Sequence, residues 1–212
     1  DGLFKLKQNI AAVCDKEVPQ SCRSTVRFIL TSEISNIYKK ENKTRKNHNL
    51  VFVSDVDKAA RFNQKLGAIG NIHSDGRPIL GLDAKNLLEI LFETTEHGVL
   101  IPAHIWTPWF SVMGSKSGFD SIEECFEELS KYIFAVETGL SSDPAMNWRV
   151  SRLDKYTLIS NSDAHSPHNL GRESNIFNTD LSYGHIFTAI KNRSPENFLG
   201  TYEFYPEDGK YH

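Results

Sequence analysis

TLISNSDAHSPHNLGRE, residues 157–173, is the stretch on which the fold reading turns. A short apolar run ends in Asn161, Asp163, His165 and His168 within eight positions. Two readings account for such clustering. The polar side chains satisfy a chain reversal, or they are ligands gathered at the open end of a strand. Asp163 and His165 are two apart, so in an extended segment both point to one side.

Working outward, apolar runs alternate with helical patterns. Residues 26–34 and 49–55 read as strands, being short and β-rich. Residues 56–66 read as a helix, and the stretch AIGNIHSDGRP after it as turn-rich. A second helix spans DAKNLLEILFETTEHG, with Asp83 as N-cap and Gly98 as stop. VLIPAHI is a strand, and DSIEECFEELSKY is helical behind Asp120 or Ser121. IFAVETG is a strand, and DPAMNWRVSRLDKY opens with Asp143 as cap and Pro144 at the first helical position. TLISNSD is a strand and YGHIFTAIKN a helix; FLGTYEFYPEDGKYH reads as an extended exit. Strand and helix in alternation imply an α/β fold, as a parallel sheet or a barrel with helices outside.

Polar residues follow these runs in a pattern. Glu33 follows VRFILTS, His104 follows VLIPA, Glu137 follows IFAV, and Asp163 with His165 follows TLISNS. In barrels of this type the C-terminal strand ends converge on one face, where chemistry sits. Carboxylates and imidazoles are ligands for zinc, manganese or iron. Each residue alone has an ordinary reading: Glu33 a solvated strand terminus, His104 a hydrogen-bonded histidine, Asp163 a turn cap. Their coincidence at four strand ends favours a shared polar site. Glu137 is read either as a ligand or as a group that orients one. His48 precedes its strand and falls outside this logic, while His73, His97, His168 and His185 have no positional argument.

Two further stretches bear on ligands. Trp106, Trp109 and Phe110 come directly after His104, where aromatic faces suit base stacking, although a hydrophobic plug is an equal reading. The backbone amides of Gly114 to Gly118, with Ser115, Lys116 and Ser117, are candidates to hold a phosphate. KKENKTRK, residues 39–46, carries five cations and reads as a solvated loop.

Bulk properties set the frame. The 212 residues are 39% hydrophobic and 24% charged, as expected for a domain with its own core. The net charge of −3 supplies no general attraction for nucleic acid, so such a partner would need bound metal ions or a local basic face. No apolar run approaches the roughly 18 residues of a membrane span. Cys14, Cys22 and Cys125 match no zinc-finger spacing and are expected to be structural thiols; a sparse, odd count fits a reducing, cytoplasmic setting. The chain opens on Asp1 rather than Met and is expected to be a fragment or a processed product.

SEIS, HNLVFV, PAHIWTPWFSVMGSKSGFDSIEE, AVETGLSSDPAMNWR and SNSDAHSP with NLGRE together resemble the endonuclease Q family of the polymerase and histidinol phosphatase (PHP) superfamily, from about Val26 to Thr188. The resemblance implies a distorted (β/α)7 TIM-like barrel holding two to three divalent ions, zinc with magnesium or manganese as alternatives. It implies Glu33 as the bridging ligand, His48, His104 and His165 as further ligands, and Asp163 as a ligand essential to cleavage. Glu137 lies outside the superfamily's usual ligand set and is, with Asp163, a catalytic candidate. Trp106, Trp109, Phe110, Ser115, Lys116, Ser117 and Arg149 are the substrate-binding candidates. The superfamily's opening His-x-His strand is missing from this sequence, so the barrel is expected to be incomplete at its N-terminus, with residues 1–200 as the hydrolase domain and 201–212 leading to a zinc-binding and helical region. The implied activity is a metal-dependent endonuclease cutting DNA 5′ of deaminated bases (uracil, hypoxanthine, xanthine) or abasic sites, with a replication clamp as a further partner. A small-molecule phosphatase of the histidinol phosphatase type and a non-catalytic scaffold are the alternatives.

Overall fold

The structure, a computed structural model, describes residue 20, residues 28–73 and residues 77–211. Cys14, Cys22 and the opening DGLFKLK lie outside the described residues, as does the start of the expected strand over 26–34. The first element is a long hairpin of β1 (Leu30–Lys40) and β2 (Lys43–Val53), paired antiparallel from Leu30↔Val53 to Lys40↔Lys43. The basic run read as a solvated loop is the hairpin's tip. Glu41 and Asn42 form its two-residue turn, with φ of 52° and 59°, as a type I′ turn requires. Charge hid a pattern of period two. Tyr38, Arg45 and Asn47 are buried on one side of the ribbon, and the Arg45 guanidinium lies 4.1 Å above the Phe119 ring.

The ribbon has two faces of different chemistry. Ile34, Val51 and Val53 face the main core, and a chain of buried amides runs among them. Asn49 Nδ2 donates to Asn36 Oδ1 (2.9 Å) and to Asn47 Oδ1 (3.0 Å), and Asn36 Nδ2 donates to the Leu82 carbonyl (2.9 Å). The opposite face carries Glu33, Ser35, His48 and Leu50, with Glu33↔Leu50 and Ser35↔His48 as cross-strand partners. A slip of one residue would exchange the faces, so the amide chain also fixes which side the acid and imidazole occupy.

Helix α1 (Val56–Gly67) starts where the Asp55 carboxylate accepts from the Lys58 amide (2.9 Å), and it buries Ala59, Phe62 and Leu66 as one stripe. Strand β3 (Ile79–Leu80) pairs parallel with β1. Helix α2 (Ala84–Thr94) has Asp83 at its N-cap as expected, without a side-chain capping bond, and buries Leu87, Leu88 and Leu91. It ends at Thr95 rather than Gly98. Gly98 serves close packing instead, because a Cβ there would come within 2.5 Å of Leu91 Cγ. Strand β4 (Val99–Pro102) pairs antiparallel with β2, completing a sheet ordered β3-β1-β2-β4.

Ser121 caps α3 (Ile122–Phe126), which continues as a 3-10 turn to Tyr132. Strand β5 (Ala135–Glu137) pairs parallel with β6 (Thr157–Ile159). Between them lies α4 (Pro144–Asn147), capped by Asp143. Strand β7 (Ser174–Phe177), α5 (Tyr183–Asn192) and β8 (Phe198–Tyr202) follow, and β8 turns back to pair antiparallel with β7. A second apolar cluster joins Val99, Ile101, Ala135 and Ile159 to Phe187 and Ile190 of α5.

The fold is α/β, and its sheets are less regular than alternating strands and helices imply. The large sheet is mostly antiparallel, with β1–β3 as its parallel pair, and among the described residues the other parallel pair is the separate two-stranded sheet β5–β6. Among the described residues no sheet closes into a barrel. The strand ends are nevertheless stitched in order. The Ala103 amide donates to the His48 carbonyl (3.0 Å), Ile105 to Glu137 (3.1 Å) and Thr138 to Ile159 (3.0 Å). Asn175 then brackets Ser160, accepting from its amide (3.0 Å) and donating to its carbonyl (2.7 Å). Asn49→Ala should destabilise the fold by about 2–3 kcal/mol, since the buried Asn36 and Asn47 carbonyl oxygens lose their donor; urea denaturation measures it.

Candidate metal centre

Three residues from the hairpin and the end of β4 meet in a small triangle. Glu33 lies within β1, not past its end, and His48 lies within β2, not before it. Both project from the same face, diagonal to each other in the register. His48 Nδ1 is 2.9 Å from Glu33 Oε1, His104 Nε2 is 3.4 Å from the same oxygen, and the two nitrogens are 3.2 Å apart. Donors at about 2.1 Å from a tetrahedral ion are about 3.4 Å from one another. One carboxylate and two imidazoles at these spacings form a set that could hold a divalent ion.

The wider site is a cavity of about 210 Å³ lined by Glu33, His104, Glu137, Asn161 and Asp163 over an apolar wall of Leu50 and Phe52. His104, Phe110 and Asp163 are three of the seven non-glycine residues with positive φ among those described (29°, 63° and 44°). Strained backbone gathers where surroundings hold a side chain against local preference. At His104 those surroundings are visible. Glu137 Oε2 accepts from the His104 amide (2.8 Å), and Asn161 Nδ2 donates to Glu137 Oε1 (2.8 Å). Gly139, at φ 69°, lets the chain after β5 lie against His104; a Cβ there would stand 2.5 Å from His104 Cβ. The ring is oriented by Thr107, whose hydroxyl donates to the Trp109 carbonyl (2.8 Å) and is 3.2 Å from His104 Nδ1. That hydroxyl accepts from Nδ1–H and leaves Nε2 toward Glu33.

Electrostatics follow from burial and pairing. Burial alone would raise Glu33, but hydrogen bonds to His104 and His48 and the charges of His48 and Arg77 hold its carboxyl well below the usual range. Burial lowers His48 despite Glu33 beside it. Burial also opposes charge on His104, yet the Glu33 bond and the charges of Glu137, Glu33 and Asp163 prevail and raise it. Glu137 is pushed up to about 7 by burial, which outweighs its bonds to Asn161 and the His104 amide.

The remaining candidates divide. Asp163 lines the cavity. His165 does not; it is exposed, with Nδ1 2.9 Å from the Asp163 carbonyl oxygen. Trp106 is tied down, its indole donating to Asn147 Oδ1 (2.7 Å) while its ring packs on the core. Trp109 is half-exposed. The Phe110 ring lies 4.9 Å from the His48 ring, and the Lys46 ammonium sits over both Trp109 (5.2 Å) and Phe110 (5.3 Å). Ser115 and Lys116 are exposed. Ser117 is buried, accepting from the Phe110 amide (3.1 Å) and donating to the Lys46 carbonyl (3.0 Å). Three of the five amides of the expected cradle are engaged inside the turn. The amides of Gly114, Lys116 and Gly118 already donate to Ser111, Pro108 and Gly114 within the turn. Arg149 is exposed just past α4. Cys125 is a buried thiol near the Tyr38 hydroxyl (3.8 Å), pushed up to about 12 by burial, in keeping with a structural role.

Sequence reading missed Arg77 and Thr107. Arg77 sits in the stretch read only as turn, yet its Nε is 3.1 Å from Glu33 Oε2 and its Nη1 is 3.1 Å and 3.0 Å from the two nitrogens of His48. No periodicity or strand end marks it. A larger cavity of about 870 Å³, walled by Phe92, Tyr132, Phe134 and Phe187, opens beside Val99. Val99 begins β4, whereas His104 follows its other end, so this cavity is remote from the acid and imidazole cluster.

Comparison with known proteins gives a consistent picture. No family model matches the chain. It is 34% identical over 169 residues to the uncharacterised protein YqxK of Bacillus subtilis, covering 78% of this chain and 42% of that one. It is 39% identical over 112 residues to the uncharacterised protein MJ0043 of Methanocaldococcus jannaschii, covering 50% of this chain and 14% of that one. Among solved structures, the lesion-specific endonuclease PfuEndoQ of Pyrococcus furiosus superposes with a TM-score of 0.74 at 30% identity, over 89% of this chain and 45% of that one. Endonuclease Q in complex with a 27-mer duplex carrying an abasic lesion at the active site superposes with a TM-score of 0.75 over the same shares. The chain spans less than half the length of each of these proteins. Its fold is similar to that of part of PfuEndoQ. The chain is endonuclease Q-like.

Glu173 lends the neighbourhood a pH dependence. It is buried, accepts from the Phe204 amide (3.2 Å), and is pushed up to about 7 by burial, with Glu203 and Glu137 adding to the rise. A carboxyl whose folded value lies above its unfolded value of 4.5 favours the folded state while protonated. That stability is full below the unfolded value and is lost as pH rises toward about 7. Glu173→Gln should therefore flatten this part of the decline, so that the variant gains on wild type between pH 5 and pH 8 in urea midpoint.

Proposed function

We propose that this chain is part of a metal-dependent phosphodiesterase of the PHP superfamily that nicks DNA at damaged nucleotides. The observation that carries the proposal is the triangle of Glu33 Oε1, His48 Nδ1 and His104 Nε2 at 2.9–3.4 Å, set at a cavity that Asp163 also lines. The endonuclease Q likeness supports DNA as the substrate, since one neighbour is bound to a duplex with an abasic lesion. Deaminated bases such as uracil, hypoxanthine and xanthine belong to the same proposal, as does a replication clamp as partner. The four-stranded sheet and the two two-stranded ones are proposed to be an arc of a distorted (β/α)7 barrel, supported by the serial stitching of strand ends. Residues 1–200 would form the hydrolase unit and 201–212 the passage to a further region.

Glu33, His48 and His104 would hold one ion, with Asp163 and His165 as ligands for a second or third; zinc, manganese and magnesium all accept members of this donor set. Bound ions would acidify a water and offset charge on the attacking and leaving oxygens. The chain's own residues do the rest. Thr107 holds the tautomer of His104 that presents Nε2. Glu137 fixes the strained His104 backbone and is itself held by Asn161, which makes it a positioning residue. Trp109 and Phe110, at the rim with Lys46, would receive a base that has left the stack, a step cheapest at a damaged pair.

The test is nicking of uracil-containing and abasic duplexes by the intact protein, beside a panel of phosphomonoesters. Asp163→Asn should reduce nicking by about 10²-fold or more. Normal cutting by that variant, or turnover of phosphomonoesters without nicking, would remove the proposal. Thr107→Val, which deprives His104 Nδ1 of its partner, should weaken metal binding by about 10–100-fold, read by titration calorimetry at unchanged melting temperature.

A further inference from the structure

The basic run KKENKTRK, residues 39–46, is more than a solvated tip, because the hairpin sorts its cations between two faces. Lys40, Lys43 and Arg45 fall on the side of Tyr38 and Asn47, which is buried further along the ribbon. Two of them are engaged there: Lys40 bonds Glu127 (2.5 Å), and Arg45 lies over the Phe119 ring (4.1 Å). Lys39 and Lys46 fall on the other side. From the metal centre outward, the cross-strand pairs on that face are Glu33↔Leu50, Ser35↔His48, Ile37↔Lys46 and Lys39↔Thr44. Among the described residues neither lysine enters an ion pair. The loop after β4 takes up the outer edge of β2 here, where the His48 amide donates to the Phe110 carbonyl (3.0 Å) and the Lys46 amide to the Ser117 carbonyl (3.2 Å). This lays Trp109 and Phe110 against the Lys46 ammonium, 5.2 Å and 5.3 Å from the ring centres. An aromatic face positions a cation without neutralising it, whereas a carboxylate does both. Lys46 is a placed charge still open to an anion.

We propose that this face of the hairpin is a DNA-backbone track: Lys46, and beyond it Lys39, bind phosphates of the strand that leaves the metal centre. The proposal rests on the reading of the chain as part of a DNA-nicking enzyme. With a net charge of −3 the chain offers DNA no general attraction, so binding needs a local row of unpaired cations, and this row is continuous with the acid and imidazole cluster. Lys39 is the diagonal neighbour of Lys46 in the register, about 7–8 Å away along the backbone. Contacts to phosphate carry no sequence information. The track therefore holds damaged and intact strands alike and leaves the choice of lesion to the cavity.

The experiment measures binding of abasic and undamaged duplexes by fluorescence anisotropy over about 50–200 mM KCl. It uses the intact protein carrying Asp163→Asn, so that the strand stays whole, and adds Lys46→Gln, Lys46→Arg, Lys39→Gln with Lys46→Gln, or Lys43→Gln. The slope of log affinity against log salt should fall by about 0.9 for Lys46→Gln and by about 1.8 for the double variant. Affinity for the two duplexes should drop by the same factor, about tenfold near 0.1 M salt for Lys46→Gln. Lys46→Arg should keep the parent slope, which separates lost charge from lost packing. Lys43→Gln, three residues away on the other face, should also keep it. An unchanged slope in the double variant, or an equal fall for Lys43→Gln, overturns the track while the DNA reading stands. Loss of affinity for the abasic duplex alone also overturns it, since it would make Lys46 a reader of the lesion. If the parent protein binds neither duplex at any salt, the DNA reading fails and the track falls with it.

Discussion

The register of one hairpin is the constraint on which the site depends. Glu33 and His48 meet only because β1 and β2 pair with Ser35 opposite His48 and Leu50 opposite Glu33. On the other side of the same ribbon, the Asn36, Asn49 and Asn47 amides interlock inside an otherwise apolar core. Buried amides are costly unless matched, so they penalise every pairing except this one. The polar face that binds and the polar chain that aligns are two sides of the same backbone. From there the organisation is hierarchical. The hairpin sets Glu33 and His48, and the chain leaving β4 brings His104 against them. Glu137, Gly139 and Asn161, from the ends of β5 and β6, then hold His104 in a backbone conformation it would not choose. Each layer of the sheet contributes one restraint, and the groups facing the cavity are restrained from behind.

Much of this was legible in the sequence. Asp83, Asp143 and Ser121 stand at the helix starts they were expected to mark, and α1 and α5 follow their apolar stripes. The convergence of Glu33, His104, Glu137 and Asp163 on one cavity was also readable, from the residues that follow each apolar run. What could not be read has physical reasons. The hairpin was hidden because its strands are rich in lysine, arginine and asparagine, which carry little strand preference, and its turn uses Glu41 and Asn42 where glycine would have announced it. Glu33 was placed at a strand end when it lies inside one, since an acid facing a buried site looks like an acid facing water. Arg77 left no trace because its role is set by where a turn folds back, a long-range fact. Over Gly114 to Gly118 the sequence could not reveal that the amides of Gly114, Lys116 and Gly118 are satisfied within the turn itself, as glycine-rich turns often allow.

The hairpin also sets an order of assembly. Its contacts are local, closed by a two-residue turn, and local pairing costs the least chain entropy. The union of β5 with β6, and of both with the ends of β4 and β7, must bridge far longer loops. Of the contacts that build the triangle, the one between the acid and the first imidazole therefore spans the least chain, 15 residues against 71 for Glu33 and His104.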